Sequence, residues 1–151
     1  MRAVAILQHT ENSGVGGGAG TSGSWEDRKL NTVQSDLNSI VTLDPLTGIF
    51  TFSKAGSYIA EFYTILFACD HAQSRLVDAD TGAVIALGIT VSSDSTINTI
   101  VNSRIYGKFT ATAGQRMKIQ SRVQTSYANA YGSQASFGTE VYINGSISVL
   151  G

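Results

Sequence analysis

Cysteine is almost absent from the chain. Cys69 is the single one among 151 residues, so no internal disulfide can form. It sits in a strand-forming run and reads as a small buried hydrophobe rather than a reactive thiol. Proline is equally scarce, with Pro45 alone in the turn Asp44-Pro45-Leu46-Thr47-Gly48. Charged residues make up 14%, against roughly 25% in an ordinary soluble domain. A surface so poor in charge is rich in hydroxyls and amides, or is covered by partners. The net charge is −1 and no basic run exceeds the pair Arg28-Lys29. A phosphate-binding footprint needs clustered Lys and Arg, so nucleic acid is excluded as a partner. The opening residues, MRAVAILQH, hold an apolar run of five. That is too short for a signal peptide or a membrane span, so neither export nor a membrane partner is expected.

Catalytic and metal-binding constellations are lacking too. The two histidines are His9 and His71. Asp70 and His71 are adjacent and face opposite sides of a strand, a poor start for a triad. Zinc needs three or four imidazole or thiolate ligands, which one Cys and two scattered His do not supply. Asp70, Asp78 and Asp80 offer carboxylates, but Asp78-Ala79-Asp80-Thr81-Gly82 reads as a hairpin turn closed by its own side chains. The run Gly14 to Gly20, GVGGGAG, lacks the Lys-Ser/Thr of a nucleotide loop and no helix follows it. No catalytic residue, metal or cofactor is assigned, and the chain is expected not to be an enzyme.

What is present is two-residue periodicity. Strands are predicted over 3–8, 39–43, 49–53, 57–68, 72–79, 83–91, 97–112, 116–126 and 136–149, with an extended segment over 25–36. A face switch is expected near Asn102-Ser103, read as a bulge. Met117, Ile119, Ser121 and Val123 alternate with Arg116, Lys118, Gln120 and Arg122, giving one strand with an evidently solvated face. Phe137, Val141, Ile143, Ile147 and Val149 are placed together on one face of the last strand. No amphipathic helical window of useful length occurs. About ten short strands separated by Gly-marked turns predict an antiparallel β-sandwich.

The run 48–67, GIFTFSKAGSYIAEFYTILF, carries the most information. Tyr58, Phe62 and Leu66 fall on one side of its second strand. Ile59, Tyr63 and Ile65 fall on the other, with Glu61 among them. A strand in a small antiparallel protein ordinarily keeps one wet face. Two dry faces imply that one packs the chain's own core while the other packs a neighbouring subunit.

Gly48-Ile49-Phe50 followed by Ala55-Gly56-Ser57-Tyr58 resembles the G-x-F … G-x-Y signature of C1q/tumour-necrosis-factor-like jelly rolls. Phe109 … Ala113-Gly114-Gln115 … Met117 is similar to the turn and strand that follow in those domains. Trp25 … Arg28, Leu30-Asn31-Thr32 resembles the opening of jelly-roll modules in phage structural proteins. The resemblance covers about residues 25–150 and implies a ten-strand jelly-roll sandwich that assembles as a homotrimer. It places Ile59, Glu61, Tyr63 and Ile65 at the trimer interface. The chain has no Gly-x-y repeat, so functions of collagen-tailed members do not carry over.

In its phage form the resemblance implies a structural virion protein. The chain is then a trimeric decoration or cement protein on the outer surface of a capsid, with the major capsid protein as partner. Residues 1–24 are read as an N-terminal strand and glycine-rich arm, and 25–151 as the jelly-roll domain. Val15, Gly16, Gly17, Gly18 and Trp25 are the expected capsid contacts. The alternative is the receptor- or glycan-binding head of a tail or head fibre. There Tyr127, Asn129 and Tyr131 form an apical loop whose aromatic and amide groups suit sugar stacking or a protein interface.

Overall fold

The computed structural model describes residues 3–150. They form an all-β, antiparallel, C1q/TNF-like jelly-roll sandwich. Twelve strands run in chain order: β1 (Val4–Glu11), β2 (Glu26–Asp27), β3 (Thr32–Ser35), β4 (Val41–Leu43), β5 (Phe50–Phe52), β6 (Gly56–Phe67), β7 (Asp70–Asp78), β8 (Val84–Leu87), β9 (Val91–Ser93), β10 (Ile100–Ala111), β11 (Arg116–Val123) and β12 (Glu140–Val149). One sheet has the order β10-β6-β12-β1-β3. The other runs β4-β5-β11-β7-β8, with β2 joined to β11 and β9 to β7.

The segment expected as one strand over 83–91 divides into β8 and β9. Gly88 is the cause. Its N–H donates to the Ser74 carbonyl at 2.8 Å while the residue bridges to Ile105 of the opposite sheet. Ile89 N–H then donates to the Arg104 carbonyl at 3.0 Å. The chain here leaves one layer, touches the other and returns, which closes one flank of the sandwich.

Two other expectations are corrected. β10 carries no bulge at Asn102-Ser103, because it pairs with β6 without a register break from Ile100–Phe67 to Ala111–Gly56. Val101, Ser103 and Ile105 stay on one side of the strand and Ile100, Asn102 and Arg104 on the other. The last strand does change face. Opposite it, the β1 register slips between His9, paired with Ile143, and Thr10, paired with Val141. A bulge admits an extra residue and resets the alternation. Val141 is therefore exposed while Tyr142, Ile143 and Ile147 are buried, and Phe137 lies outside the strand, 97% exposed.

The interior consists of two apolar clusters. The larger is built on Leu7, Phe50, Phe52, Phe62, Leu76, Ile105, Met117, Ile119, Ile143 and Ile147. The smaller holds Leu66, Cys69, Ala72, Val123, Ala130 and Tyr131. Each fully buried large side chain contributes about 1.5–3 kcal/mol before its entropy cost. Between the clusters runs a polar seam. Thr64 Oγ1 and Ser74 Oγ are 2.6 Å apart, and Ser74 Oγ and Ser121 Oγ are also 2.6 Å apart. Ser103 Oγ accepts from Ser74 N–H at 3.0 Å and donates to the Ile89 carbonyl at 2.7 Å.

Arg28 completes the seam. It is 1% exposed, and no carboxylate pairs with it among the described residues. Its guanidinium donates to Ser121 Oγ at 2.9 Å, to the Ile65 carbonyl at 3.1 Å and to the Tyr131 carbonyl at 3.4 Å. It also lies 4.3 Å from the centre of the Tyr131 ring. Burial lowers its pKa to about 10, so it remains a cation at neutral pH. An unpaired buried charge costs several kcal/mol unless dipoles replace its hydration, and here carbonyls, a hydroxyl and a π face do so.

Arg28→Met and Ser121→Ala are each expected to lower stability. The double mutant is expected to lose less than the sum, with a coupling energy of about 0.5–3 kcal/mol. Urea unfolding of the four proteins measures it, and strict additivity would show that the guanidinium and hydroxyl do not act as a unit.

Candidate association surface and loop pole

The outer face of the sheet built on β6 exposes apolar and aromatic side chains. Alternation turns Tyr58, Ala60, Phe62, Thr64 and Leu66 into the core, where all are buried. It turns Ile59, Glu61, Tyr63, Ile65 and Phe67 outward, partly covered or, at Tyr63, 42% exposed. The neighbouring strands fix what lies beside them. On β10, Lys108 faces Ile59, Tyr106 faces Glu61, Arg104 faces Tyr63, Asn102 faces Ile65 and Ile100 faces Phe67. On β12, Ser148 faces Ile59, Ser146 faces Glu61 and Asn144 faces Tyr63. Val4 and Ile6 of β1 follow beyond Ser148 and Ser146. The result is a tall aromatic ridge along β6 and β10 beside a low trough of serines along β12.

One ion pair is set into this ridge. Arg104 Nη2 donates to Glu61 Oε2 at 2.6 Å, and its guanidinium lies 4.6 Å from the centre of the Tyr106 ring. The hydrogen bond from Arg104 lowers the Glu61 pKa and raises that of Arg104. Arg104 Nε is shielded yet has no partner among the described residues. Arg104 and Tyr106 escaped the sequence reading because their strand was thought to change face. An unbroken two-residue count from Ile100 would have found them.

The glycine run lies on the chain's own surface. Gly17 N–H donates to the Gly132 carbonyl at 2.9 Å, Tyr131 N–H donates to the Gly18 carbonyl at 3.1 Å, and Gly20 and Tyr127 exchange two bonds of 3.0 Å. Tyr142 Oη donates to the Val15 carbonyl at 2.6 Å. A Cβ on Gly17 would collide with the Tyr131 carbonyl, and one on Gly16 would stand 2.6 Å from Asn129 Oδ1. Glycine is needed there for close backbone approach. The run is therefore braced to residues 127–132 instead of extending away as an arm. Trp25, half-buried, is capped by Arg75, whose guanidinium sits 3.9 Å from its ring centre.

The three residues expected in an apical loop have unlike roles. Tyr131 is 5% exposed and donates its hydroxyl to Glu26 Oε1 at 2.6 Å, and burial pushes its pKa up. Tyr127 packs on Phe67 with ring centres 5.7 Å apart. Asn129 is half-buried against Gly16. Glu140, at the start of β12, fastens the same pole. It accepts from the backbone N–H groups of Gly14 at 2.9 Å, Ala135 at 3.1 Å and Ser136 at 3.0 Å.

Catalytic groups do not converge. Cys69 is buried and its thiol pKa is raised, chiefly by desolvation. His9 is 2% exposed, bonded to Glu11 at 3.0 Å, and burial lowers its pKa. Among the described residues no group of three or more His, Cys, Asp or Glu is placed to hold a metal. Asp78 closes its own hairpin, accepting from Asp80 and Thr81 N–H at 2.9 Å each. No helix of the described residues is long and apolar enough to cross a membrane.

No protein-family model and no curated protein sequence matches the chain. Solved structures do. Murine APRIL at pH 5.0 aligns with a TM-score of 0.63 at 12% identity, over 99% of this chain and 100% of that one. The globular domain of zebrafish complement 1qA protein aligns with a TM-score of 0.54 at 13% identity, over 98% and 95% of the two chains. Identities this low establish the fold alone.

These matches overturn the phage reading. Murine APRIL and the zebrafish complement 1qA domain, which share the fold over nearly the whole chain, are neither capsid decoration proteins nor fibre heads. The virion location and the major capsid protein as partner fall with it. The physical reason is that the motifs used encode turns. Gly48 has φ of 77° and its Cβ would meet the Arg28 carbonyl at 2.7 Å, while Gly56 begins β6. Such residues specify the jelly-roll hairpin and carry no information about the organism or the partner.

The Glu140 clamp gives a pH prediction. Backbone donors, Gly14 first, hold its pKa below the usual 4.5. A carboxylate with a depressed folded-state pKa stabilises fully above its unfolded pKa, and that contribution is lost as pH falls through the folded value. Glu140→Gln is expected to be less stable near neutrality and to lose less stability on acidification. Comparing urea midpoints at about pH 6 and about pH 3 tests it. Equal losses in both proteins would contradict it.

Proposed function

We propose that the chain is a non-catalytic recognition module. It works as a homotrimer in which each copy covers the open β6 face of the next, and it binds a protein ligand on surfaces the trimer leaves free. The observation that carries this reading is the outer face of the sheet itself. Tyr63, Tyr106 and Ile100 stand 42%, 54% and 59% exposed around Ile59 and Ile65. Contiguous exposed apolar surface of this kind marks an association site. The serine trough along β12 offers room for the aromatic ridge of a neighbour, and three-fold closure satisfies every such face. Ile59, Glu61, Tyr63 and Ile65 serve as interface residues in this reading. Arg104 Nε, lacking an acceptor in the single chain, gains one from the adjacent copy.

The fold supports the reading. The globular domain of complement 1qA and murine APRIL share the architecture. A rigid sandwich with convergent loops and no reactive constellation among the described residues suits binding better than turnover.

Sedimentation velocity at micromolar concentration is expected to give a trimer. Ile65→Asp introduces a charge into the covered face and is expected to yield folded monomer, with unchanged far-ultraviolet dichroism. A mutation on the opposite sheet, Lys118→Gln, is expected to leave the trimer intact. A wild-type protein that sediments as monomer at this concentration sinks the proposal.

A further inference from the structure

The seven-stranded sheet is the one with the solvated face, and near the loop pole that face is hollowed. A groove of about 400 Å³ lies between the start of β7, the end of β11 and the Ser22–Trp25 turn. Its floor is set by strand register: Gln73 of β7 pairs with Arg122 of β11, and His71 with Gln124 through bonds of 2.8 and 3.1 Å. Trp25 forms one wall. The indole is held in place, because Arg75 covers it at 3.9 Å while donating through Nε and Nη2 to Gln120 Oε1 at 3.0 and 2.9 Å.

The charges at this place do not balance. Arg122 is exposed and has no ion-pair or hydrogen-bond partner for its guanidinium among the described residues. No Asp or Glu lines the groove. The nearby acids are spent elsewhere. Asp27 takes Lys118 and Gln120 at 3.0 Å each, and Glu26 takes Tyr131 Oη at 2.6 Å and Thr21 N–H at 2.7 Å. Asp70 accepts from Ser95 Oγ at 2.9 Å and is also bonded to Thr125 Oγ1. A guanidinium left free at the edge of a concave site, beside a fixed indole and amide side chains, matches a planar carboxylate that can accept two parallel hydrogen bonds.

We infer that this groove docks an acidic segment of a protein partner, with Arg122 receiving an Asp or Glu carboxylate and Trp25 packing the adjoining residue. Trp and Arg are the residue types that most often carry binding energy at protein interfaces. Gln73 Nε2 is already bonded to the Gly88 carbonyl and Gln124 Oε1 to His71 N–H, so Gln73 Oε1 and Gln124 Nε2 supply the directional bonds to the segment's backbone. The site extends the recognition role proposed above by naming the chemistry of the ligand. It lies on the sheet opposite the association face, so it stays open in the trimer.

Trp25 is the chain's one tryptophan, so its fluorescence reports on the groove alone. The full-length protein is titrated with an acetylated, amidated Gly-Glu-Gly-Glu-Gly peptide at low salt. A saturable change is expected, absent with the Gly-Gln-Gly-Gln-Gly peptide. Arg122→Gln is expected to weaken it at least about tenfold, whereas Lys54→Gln, at the opposite pole, leaves it unchanged. Silence with the acidic peptide, an equal response to the neutral one, or full affinity in Arg122→Gln overturns the inference. A response confined to a sulfated oligosaccharide overturns the protein-partner assignment. Sedimentation of the same samples separates the two proposals. An intact trimer with a silent Trp25 refutes the groove alone, and a responsive Trp25 on a monomer refutes the trimer alone.

Discussion

A single cation without a counter-ion organises this sandwich. Arg28 reaches Ser121 on one sheet, the Ile65 carbonyl on the other and the Tyr131 carbonyl in the loop pole. Among the described residues it is the one side chain that bonds all three regions at once. Its requirements explain otherwise odd choices nearby. Serine and threonine occupy inward positions at 64, 74, 103 and 121, where an apolar residue would pack better but leave donors unsatisfied. The core is consequently divided into two apolar clusters with a polar seam between them. A network of this kind costs stability relative to hydrocarbon, and it fixes one register of the two sheets against each other, since a slip by one residue would strand the guanidinium.

The two sheets have opposite surfaces. The sheet of β11 and β7 presents Lys118, Gln120 and Arg122 with Gln73 and Arg75, a face that water or a polar ligand satisfies. The sheet of β6 and β10 presents aromatic and aliphatic groups beside serines. The proposed self-contact and the proposed ligand contact would thus fall on separate layers. The low charge content belongs to the same design. Most of the few charges lie on one layer and on the turns, and among the described residues the strands of the other layer carry only Glu11, Glu61, Arg104, Lys108 and Glu140.

Much of this was legible in the chain. Alternation in 57–68 and 116–123 gave the inward and outward sets residue by residue, because a regular strand has a fixed period. Gly48, Gly56 and Gly114 marked turns because of backbone geometry. What escaped depended on contacts distant in sequence. Arg28 was read only as half of the pair Arg28-Lys29 and as part of the opening motif, although its two-residue spacing from buried Leu30 was a hint. Ser121 among Met117, Ile119 and Val123 was a second hint, a hydroxyl where a hydrocarbon was due. The role of the glycine run depended on Gly132 and Tyr131, more than a hundred residues away, and small residues by themselves do not distinguish a loose tether from a close fit. The viral reading failed for a different reason: turn motifs specify a hairpin, and a hairpin does not specify a biological setting.

The pairing of β1 with β12 fixes a polarity. Val149 N–H donates to the Ala3 carbonyl at 3.0 Å, so both ends of the described chain meet beside Ser57, at the pole away from Gly17 and Tyr131. Anything tethered through either end must project from that side, and the glycine-braced pole then points outward. Two attachments, one at each end, would leave side by side and impose the same orientation, so a display scaffold or an immobilised sensor built on this chain needs only one anchoring geometry.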